Sequence, residues 1–189
     1  MDEENKGYRF YKVDLDYVKY LHSKDGQVFY KNDPEYEKKP HLGLLTNIDG
    51  YLYCIPLTSR KKTHLNWANV SQHNYVIYEI VEGSELKDGD IYKVHGKTGK
   101  YKKILAVLEI RKMIPVDNSL IKYIDFSKVT DLTYKDLLEK EYNFLKPLFP
   151  DIATKAKKLY DYQKETKEVK ACYCTFETLE NAYKTYKSY

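Results

Sequence analysis

HLGLLTNIDGYLYCIPLTSRKKTH, residues 41–64, sets two apolar-rich runs on either side of Asp49-Gly50. An Asp-Gly pair suits the positive backbone angles of a type I′ turn, so it predicts a hairpin of strands 41–48 and 51–58. The second strand leaves the hairpin as Thr58, Ser59, Arg60, Lys61, Lys62 and His64: two hydroxyls, three cations and an imidazole. A strand that buries Ile55 and Leu57 has no packing use for so polar an edge. Strand ends running into loops are where rigid scaffolds commonly present functional groups. The plain alternative is a turn begun by Thr-Ser with solvated cations.

Outward from the hairpin, YRFYKVD (8–14) is β-branched and aromatic and reads as a strand. Asp14 then caps a short helix carrying Leu15, Val18 and Leu21, with Tyr17 near its start. Residues 23–40 hold Gly26, two prolines and many charges, and read as a long loop. Strand patterns recur at 73–82, 91–96, 100–110, 112–116 and 120–126. No alternation of strands with helices intervenes, so the sheet is expected to be mostly antiparallel and curled into a small barrel. From Thr133 the apolar period becomes helical, with Thr133 and Asp136 as a capping box. A second helix is expected from Pro150, and a third after a Thr175 cap. The fold class is therefore α+β: one domain over 1–189, with the barrel mainly in 8–126 and a helical part in 133–188.

A chain of 189 residues buries enough surface to need no covalent staples. Its three cysteines, Cys54, Cys172 and Cys174, are odd in number and lack zinc-site spacing, so they read as reduced thiols, with Cys54 in the core. MDEENKGYRF has no apolar segment of a secretory signal, and no run is long enough to span a membrane. A cytoplasmic location and no membrane partner are expected. A net charge of +4 decides little, but its distribution is uneven. IYKVHGKTGKYKK (91–103) carries five lysines and no acid, and Arg60-Lys61-Lys62 is a second excess. Such patches neutralise phosphates or are solvated surface. Of the 21 tyrosines, most are needed for packing, and any exposed beside cations would stack single-stranded bases.

Several chemistries lack their residues. Gly96-Lys97-Thr98 is no P-loop, because the glycine required at position 91 is Ile91. There is no Gly-x-Ser-x-Gly elbow and no His-Glu-x-x-His. The histidines, at 22, 41, 64, 73 and 95, have no ligand spacing, and no carboxylates cluster for a metal nuclease. No metal and no cofactor are expected. Metal-free cleavage of RNA remains. RNA carries its own nucleophile, the 2′-hydroxyl; an enzyme must position it, move a proton and stabilise charge on phosphorus and the leaving oxygen. Thr58 and Ser59 can donate to non-bridging oxygens, Lys61 can neutralise developing charge or act as an acid, and His64 titrates in the useful range.

PLTSRKKTH (56–64) resembles the Pro-Leu-Thr/Ser-Ser-x-Lys motif of the ToxN/AbiQ family, endoribonuclease toxins of type III toxin–antitoxin systems. The likeness continues in order along the chain. FYKVDLDYVKYL (10–21) resembles the family's opening strand and tyrosine-bearing helix, and KKPHLGLLTNIDGYLYCIPLTS (38–59) its basic entry to the hairpin, Gly43 included. KMIPV (112–116) is similar to its Lys-x-Met-Ile-Pro strand and YKDLLEKEYNFLK (134–146) to its first long helix. Arg60 stands where the family often has proline, and Glu141 follows Lys140 where it often has glutamine.

The resemblance implies a compact barrel related to the MazF/Kid toxins. It implies metal-independent cleavage of cellular or phage RNA to a 2′,3′-cyclic phosphate, in phage defence or plasmid maintenance. It further implies inhibition by a small repeat-derived pseudoknot RNA, which the toxin processes, and a cyclic protein–RNA hetero-oligomer. Carried over residue by residue, it makes Thr58, Ser59, Lys61, Tyr17 and Tyr36 the catalytic set, with Lys39 on RNA. Arg60, Lys62, His64, Lys97 and Lys100 complete the expected RNA surface. A non-catalytic RNA-binding module would use the same lysines and tyrosines, and a protein-binding domain would instead need an exposed apolar surface.

Overall fold

The computed structural model describes residues 9–32, 41–97 and 99–187, with the backbone alone at 41 and 42. Strand β1 (Phe10–Val13) leads through the Asp14 cap, whose carboxylate accepts from the Tyr17 amide at 2.9 Å, into helix α1 (Leu15–Lys24). Strands β2 (His41–Ile48) and β3 (Tyr51–Ser59) form the expected hairpin. Asp49 and Gly50 both take positive φ, 47° and 83°, as a type I′ turn requires. Strands β4 (Asn74–Glu82), β5 (Tyr92–His95), β6 (Lys100–Glu109), β7 (Ile114–Val116) and β8 (Ile121–Tyr123) follow.

The eight strands make one antiparallel sheet in the order β4-β6-β3-β2-β1-β8, with β5 against β6 and β7 against β3. It does not close into the expected barrel. Closure needs the outermost strands to exchange hydrogen bonds; among the described residues β4 pairs with β6 and β8 with β1, never with each other. Two of its strands change neighbours midway. One edge of β3 meets β7 at Leu52–Cys54 and then β6 at Leu57–Ser59. One edge of β6 meets β5 over 100–103 and β3 over 106–108.

Gly43 sits opposite Pro56 where β2 and β3 approach closely. A Cβ there would stand 2.1 Å from Cys54 Sγ and 2.7 Å from the Ile55 carbonyl oxygen, so only glycine fits. Cys54 is buried, as expected, and burial pushes its thiol up to about 12.

Helix α2 (Leu132–Leu145) starts from Asp131, whose carboxylate accepts from the Thr133 and Tyr134 amides, and not from the expected Thr133 box. It packs beside β4 through Tyr78 and Phe144, with Lys140 reaching Glu79. Helices α3 (Phe149–Thr166) and α4 (Phe176–Lys187) share the sheet's core. They join it through buried Glu180, which accepts from Tyr53 and Tyr160 and pairs with Lys164. Gln163 closes the intervening loop, donating to the Cys174 carbonyl and accepting from the Phe176 amide. Among the described residues no helix is long and apolar enough to cross a membrane.

Candidate active site

The polar exit of β3 stands where the β3–β6 register ends. Thr58 is opposite Val107 and Ser59 opposite Ala106. Alternation along β6 puts Glu109 on the same face as Val107, diagonal to Thr58. The Thr58 hydroxyl lies 3.4 Å from Glu109 Oε1 and 3.5 Å from the Val107 carbonyl. Glu109 is 3% exposed. Arg111 binds it with two nitrogens, Nε at 3.0 Å and Nη2 at 2.8 Å, both on Oε2.

After Ser59 and Arg60, both exposed, Lys61 enters the short 3-10 turn Lys62–Asn66. The Lys61 amide donates to His64 Nδ1 at 3.1 Å, and the His64 amide donates back to the Lys61 carbonyl at 2.9 Å. That arrangement makes Nδ1 an acceptor and leaves the ring proton on Nε2. Burial pushes the His64 imidazole below its usual range, helped by Lys61, Lys93 and Arg111 and opposed by Glu109. The ring packs on Trp67, 4.7 Å between centroids, and Arg111 lies 5.0 Å over the other ring of that pair. A chain of contacts therefore runs from Thr58 through Glu109, Arg111, Trp67 and His64 back to Lys61.

A second lysine backs this group. Lys112, 6% exposed, donates to the carbonyl and side-chain oxygens of Gln27 at 2.9 and 2.8 Å. Burial lowers its ammonium from the usual lysine range. Its Nζ lies 5.3 Å from the Phe29 ring centre, and Lys61 Nζ lies 6.0 Å from the same ring. The 25–30 segment is pinned beneath: His22 meets the Val28 carbonyl, and Asp25 accepts from the Thr175 amide.

Of the sequence-derived residues, Thr58, Lys61 and His64 come together, with Ser59 and Lys62 exposed beside them. His64, at 2% exposure, is buried in the wall of the group and is not presented as an RNA contact. Tyr17 does not join them. It is fully buried, packs on Tyr183 and Tyr186, and donates to the Pro115 carbonyl at 2.6 Å. Helix α1 turns that side chain inward at the level of Tyr53, five positions before Thr58 on β3. Tyr36 and Lys39 lie outside the described residues. Arg60 faces Asp90 at 3.6 Å, Lys100 faces Glu82, and Lys103 bridges Glu79 and Asp90. Lys93 is turned to the Trp67 carbonyl and Asn69. Lys97 is exposed. Glu109, Arg111, Lys112, Trp67 and Phe29 were not foreseen. The one signal for the first three was a carboxylate and two cations inside the apolar run ILAVLEIRKMIPV (104–116); Trp67 and Phe29 carried none. Among the described residues no three His, Cys, Asp or Glu side chains group as a metal site.

A family model described as Toxin ToxN, type III toxin–antitoxin system, matches residues 9–184. An endoribonuclease ToxN of Pectobacterium atrosepticum is 27% identical over 179 residues, 94% of this chain and 93% of its own. An endoribonuclease ToxN of Bacillus thuringiensis subsp. kurstaki is 29% identical over 188 residues, 95% of this chain and 84% of its own. A solved structure on selective toxin inhibition by a non-coding RNA pseudoknot, from work on bacterial type III systems, superposes with TM-score 0.68 at 26% identity, covering 96% of this chain and 98% of that one. The fold is shared with AbiQ, a lactococcal anti-phage endoribonuclease, at TM-score 0.67 and 19% identity over 96% of this chain and 98% of that one.

Proposed function

The chain belongs to the ToxN family of type III toxin–antitoxin systems, and on that premise we propose that it is an endoribonuclease toxin that cuts RNA by attack of the 2′-hydroxyl. The products are a 2′,3′-cyclic phosphate and a 5′-hydroxyl, and no divalent metal takes part. The observation that carries this reading is the exit of β3, where Thr58 is tied to Glu109 and the backbone of Lys61 is locked to His64. The Thr58 hydroxyl and the main chain that carries the Lys61 side chain are thereby set at one strand exit, a pairing of hydroxyl and cation suited to charge stabilisation at phosphorus. Lys61 supplies charge or a proton to the leaving oxygen, and exposed Ser59 donates to a non-bridging oxygen.

The inhibitor in this reading is a folded RNA, as in the related solved structure, whose toxin is inhibited by a pseudoknot. The RNA occupies the cutting site as its own cleavage product and closes with the toxin into a cyclic assembly. Acting in the cytoplasm on cellular or phage transcripts, the toxin serves phage defence or plasmid maintenance.

One assay tests the activity. Purified protein in excess EDTA is given an RNA, the same RNA with 2′-deoxy at the cut site, and the RNA with Lys61→Ala protein. Cleavage of the first substrate alone supports the reading. Activity that appears only with added magnesium overturns the metal-free mechanism. Binding of RNA without cleavage under any condition identifies a non-catalytic RNA-binding module.

A further inference from the structure

Resting on the ribonuclease reading, we propose that Glu109 takes up, by way of Thr58, the proton released by the RNA 2′-hydroxyl. Thr58 then meets the substrate as an acceptor, and Glu109 is the terminus of a two-residue relay.

The argument begins from the single proton of a threonine hydroxyl. Among the described residues, the two protein groups within reach of Thr58 Oγ1, the Val107 carbonyl at 3.5 Å and Glu109 Oε1 at 3.4 Å, are both acceptors. The proton therefore points into the protein, and a lone pair is left toward an incoming 2′-hydroxyl. Arg111 holds the carboxylate by Oε2, which leaves Oε1 as the oxygen turned to Thr58. Glu109 is too buried to touch RNA itself, so its path to the substrate runs through that hydroxyl. His64 does not supply the base, because its Nδ1 is engaged by the Lys61 amide and its Nε2 bears the proton. The register adds an independent point. Glu109 is the diagonal neighbour of Thr58 on one sheet face, so the two are set by strand pairing and not by a flexible loop.

The step balances. The 2′-O–H bond breaks and its proton passes to Thr58 Oγ1, while the Thr58 proton passes to Glu109 Oε1. The 2′-oxygen bonds to phosphorus, the P–O5′ bond breaks, and the 5′-oxygen leaves with a proton from the Lys61 ammonium. Glu109 later returns its proton through Thr58 to solvent, and Lys61 is reprotonated from solvent. No oxidant, reductant or co-reactant is consumed.

Among the described residues, the charged and titratable groups facing Glu109 are Arg111 and Lys112 from its own segment, His64 from the turn after β3, and Cys174 from the loop before α4. A test must separate Glu109 from these and the attacking from the leaving side. Single-turnover cleavage is measured on an RNA with the normal 5′-oxygen and on one with 5′-sulfur at the cut site, a leaving group that needs no proton. Glu109→Gln keeps shape and acceptor capacity but cannot take a proton. We expect it to lose about 10²–10⁴-fold in rate on both substrates, with RNA affinity unchanged. Thr58→Val should show a comparable loss and Thr58→Ser should restore most of the rate. The double variant Glu109→Gln/Thr58→Val should be no slower than the slower single variant. If Glu109→Gln unfolds, the Thr58→Val and Thr58→Ser pair on the two substrates carries the test.

A Glu109→Gln rate close to wild type overturns the relay, as does a penalty that vanishes on the 5′-sulfur substrate for Glu109→Gln or Thr58→Val. Losses that multiply in the double variant overturn it too. Wild-type protein that cuts no RNA removes the ribonuclease reading itself, whereas wild-type cutting with an unaffected Glu109→Gln removes the relay alone.

Discussion

The Lys61 and His64 main chains and the His64 ring are joined reciprocally: amide to Nδ1 at 3.1 Å in one direction, amide to carbonyl at 2.9 Å in the other. The first bond exists only while His64 is neutral. Its pKa is lowered, chiefly by burial, from an ordinary 6.5. For a lowered pKa the stabilisation is present above 6.5 and is lost as pH falls through the folded value. Trp67, the single tryptophan, stacks on that ring and reports on it. Acid titration should quench Trp67 fluorescence with a midpoint below 6.5, and His64→Gln should abolish the step. His64→Ala should cost about 1–2 kcal/mol of stability from the lost buried hydrogen bond and packing. An unchanged fluorescence titration in His64→Gln would reject the assignment.

Lys61 is exposed, so its removal should spare the fold. Lys61→Ala should lower the single-turnover rate by about 10²–10³-fold and abolish growth arrest when the folded protein is expressed in bacteria. Ser59→Ala should reduce turnover more than affinity, because a hydrogen bond that tightens in the transition state acts on rate. Equal losses in affinity and rate would assign Ser59 to ground-state binding.

Gly43→Ala should destabilise by about 1–3 kcal/mol, because the added methyl meets both a side chain and a backbone oxygen. Pairing it with Cys54→Ala removes the sulfur clash and leaves the Ile55 carbonyl clash, so rescue should be partial. Urea midpoints of the three variants decide this. Full rescue would show that the backbone accommodates the methyl.

Glu141, on the buried face of α2, has its carboxyl raised by desolvation from 4.5 to about 7. For a raised pKa the stability is fully present below 4.5 and is lost as pH climbs through about 7. Glu141→Gln removes that loss, so it should stabilise the protein by about 1–3 kcal/mol at pH 8 and by little at pH 4.5. Melting temperatures at the two pH values provide the measurement; a gain equal at both would rule out titration as the cause.

The lysine-rich segment should divide by function. Lys62 and Lys97 are exposed, whereas Lys103 is committed to Glu79 and Asp90. Removing Lys62 or Lys97 should weaken RNA binding and lower the salt slope by about one unit if its charge lies on a phosphate. Lys103→Met should lower stability and leave that slope unchanged. Titrations at several salt concentrations separate the two effects.

The hairpin, the Asp49-Gly50 turn, the Asp14 and Thr175 helix starts and the polar exit of β3 were legible from local residues. A turn needs only its own backbone angles, a cap only the next three amides, and strand alternation only a period of two. The order of family-like blocks added the chemistry expected at Thr58, Ser59 and Lys61. What the chain alone did not disclose depends on partners remote in sequence. Thr58 and Glu109 are 51 residues apart and meet because β6 pairs with β3 at one register. Tyr17 resembled a reactive tyrosine, but packing turned it inward onto the Pro115 carbonyl. The open sheet has the same origin. The strand patterns fit open and closed sheets alike, and the neighbours that β3 and β6 take along their length are pairings remote in sequence, which no local pattern specifies.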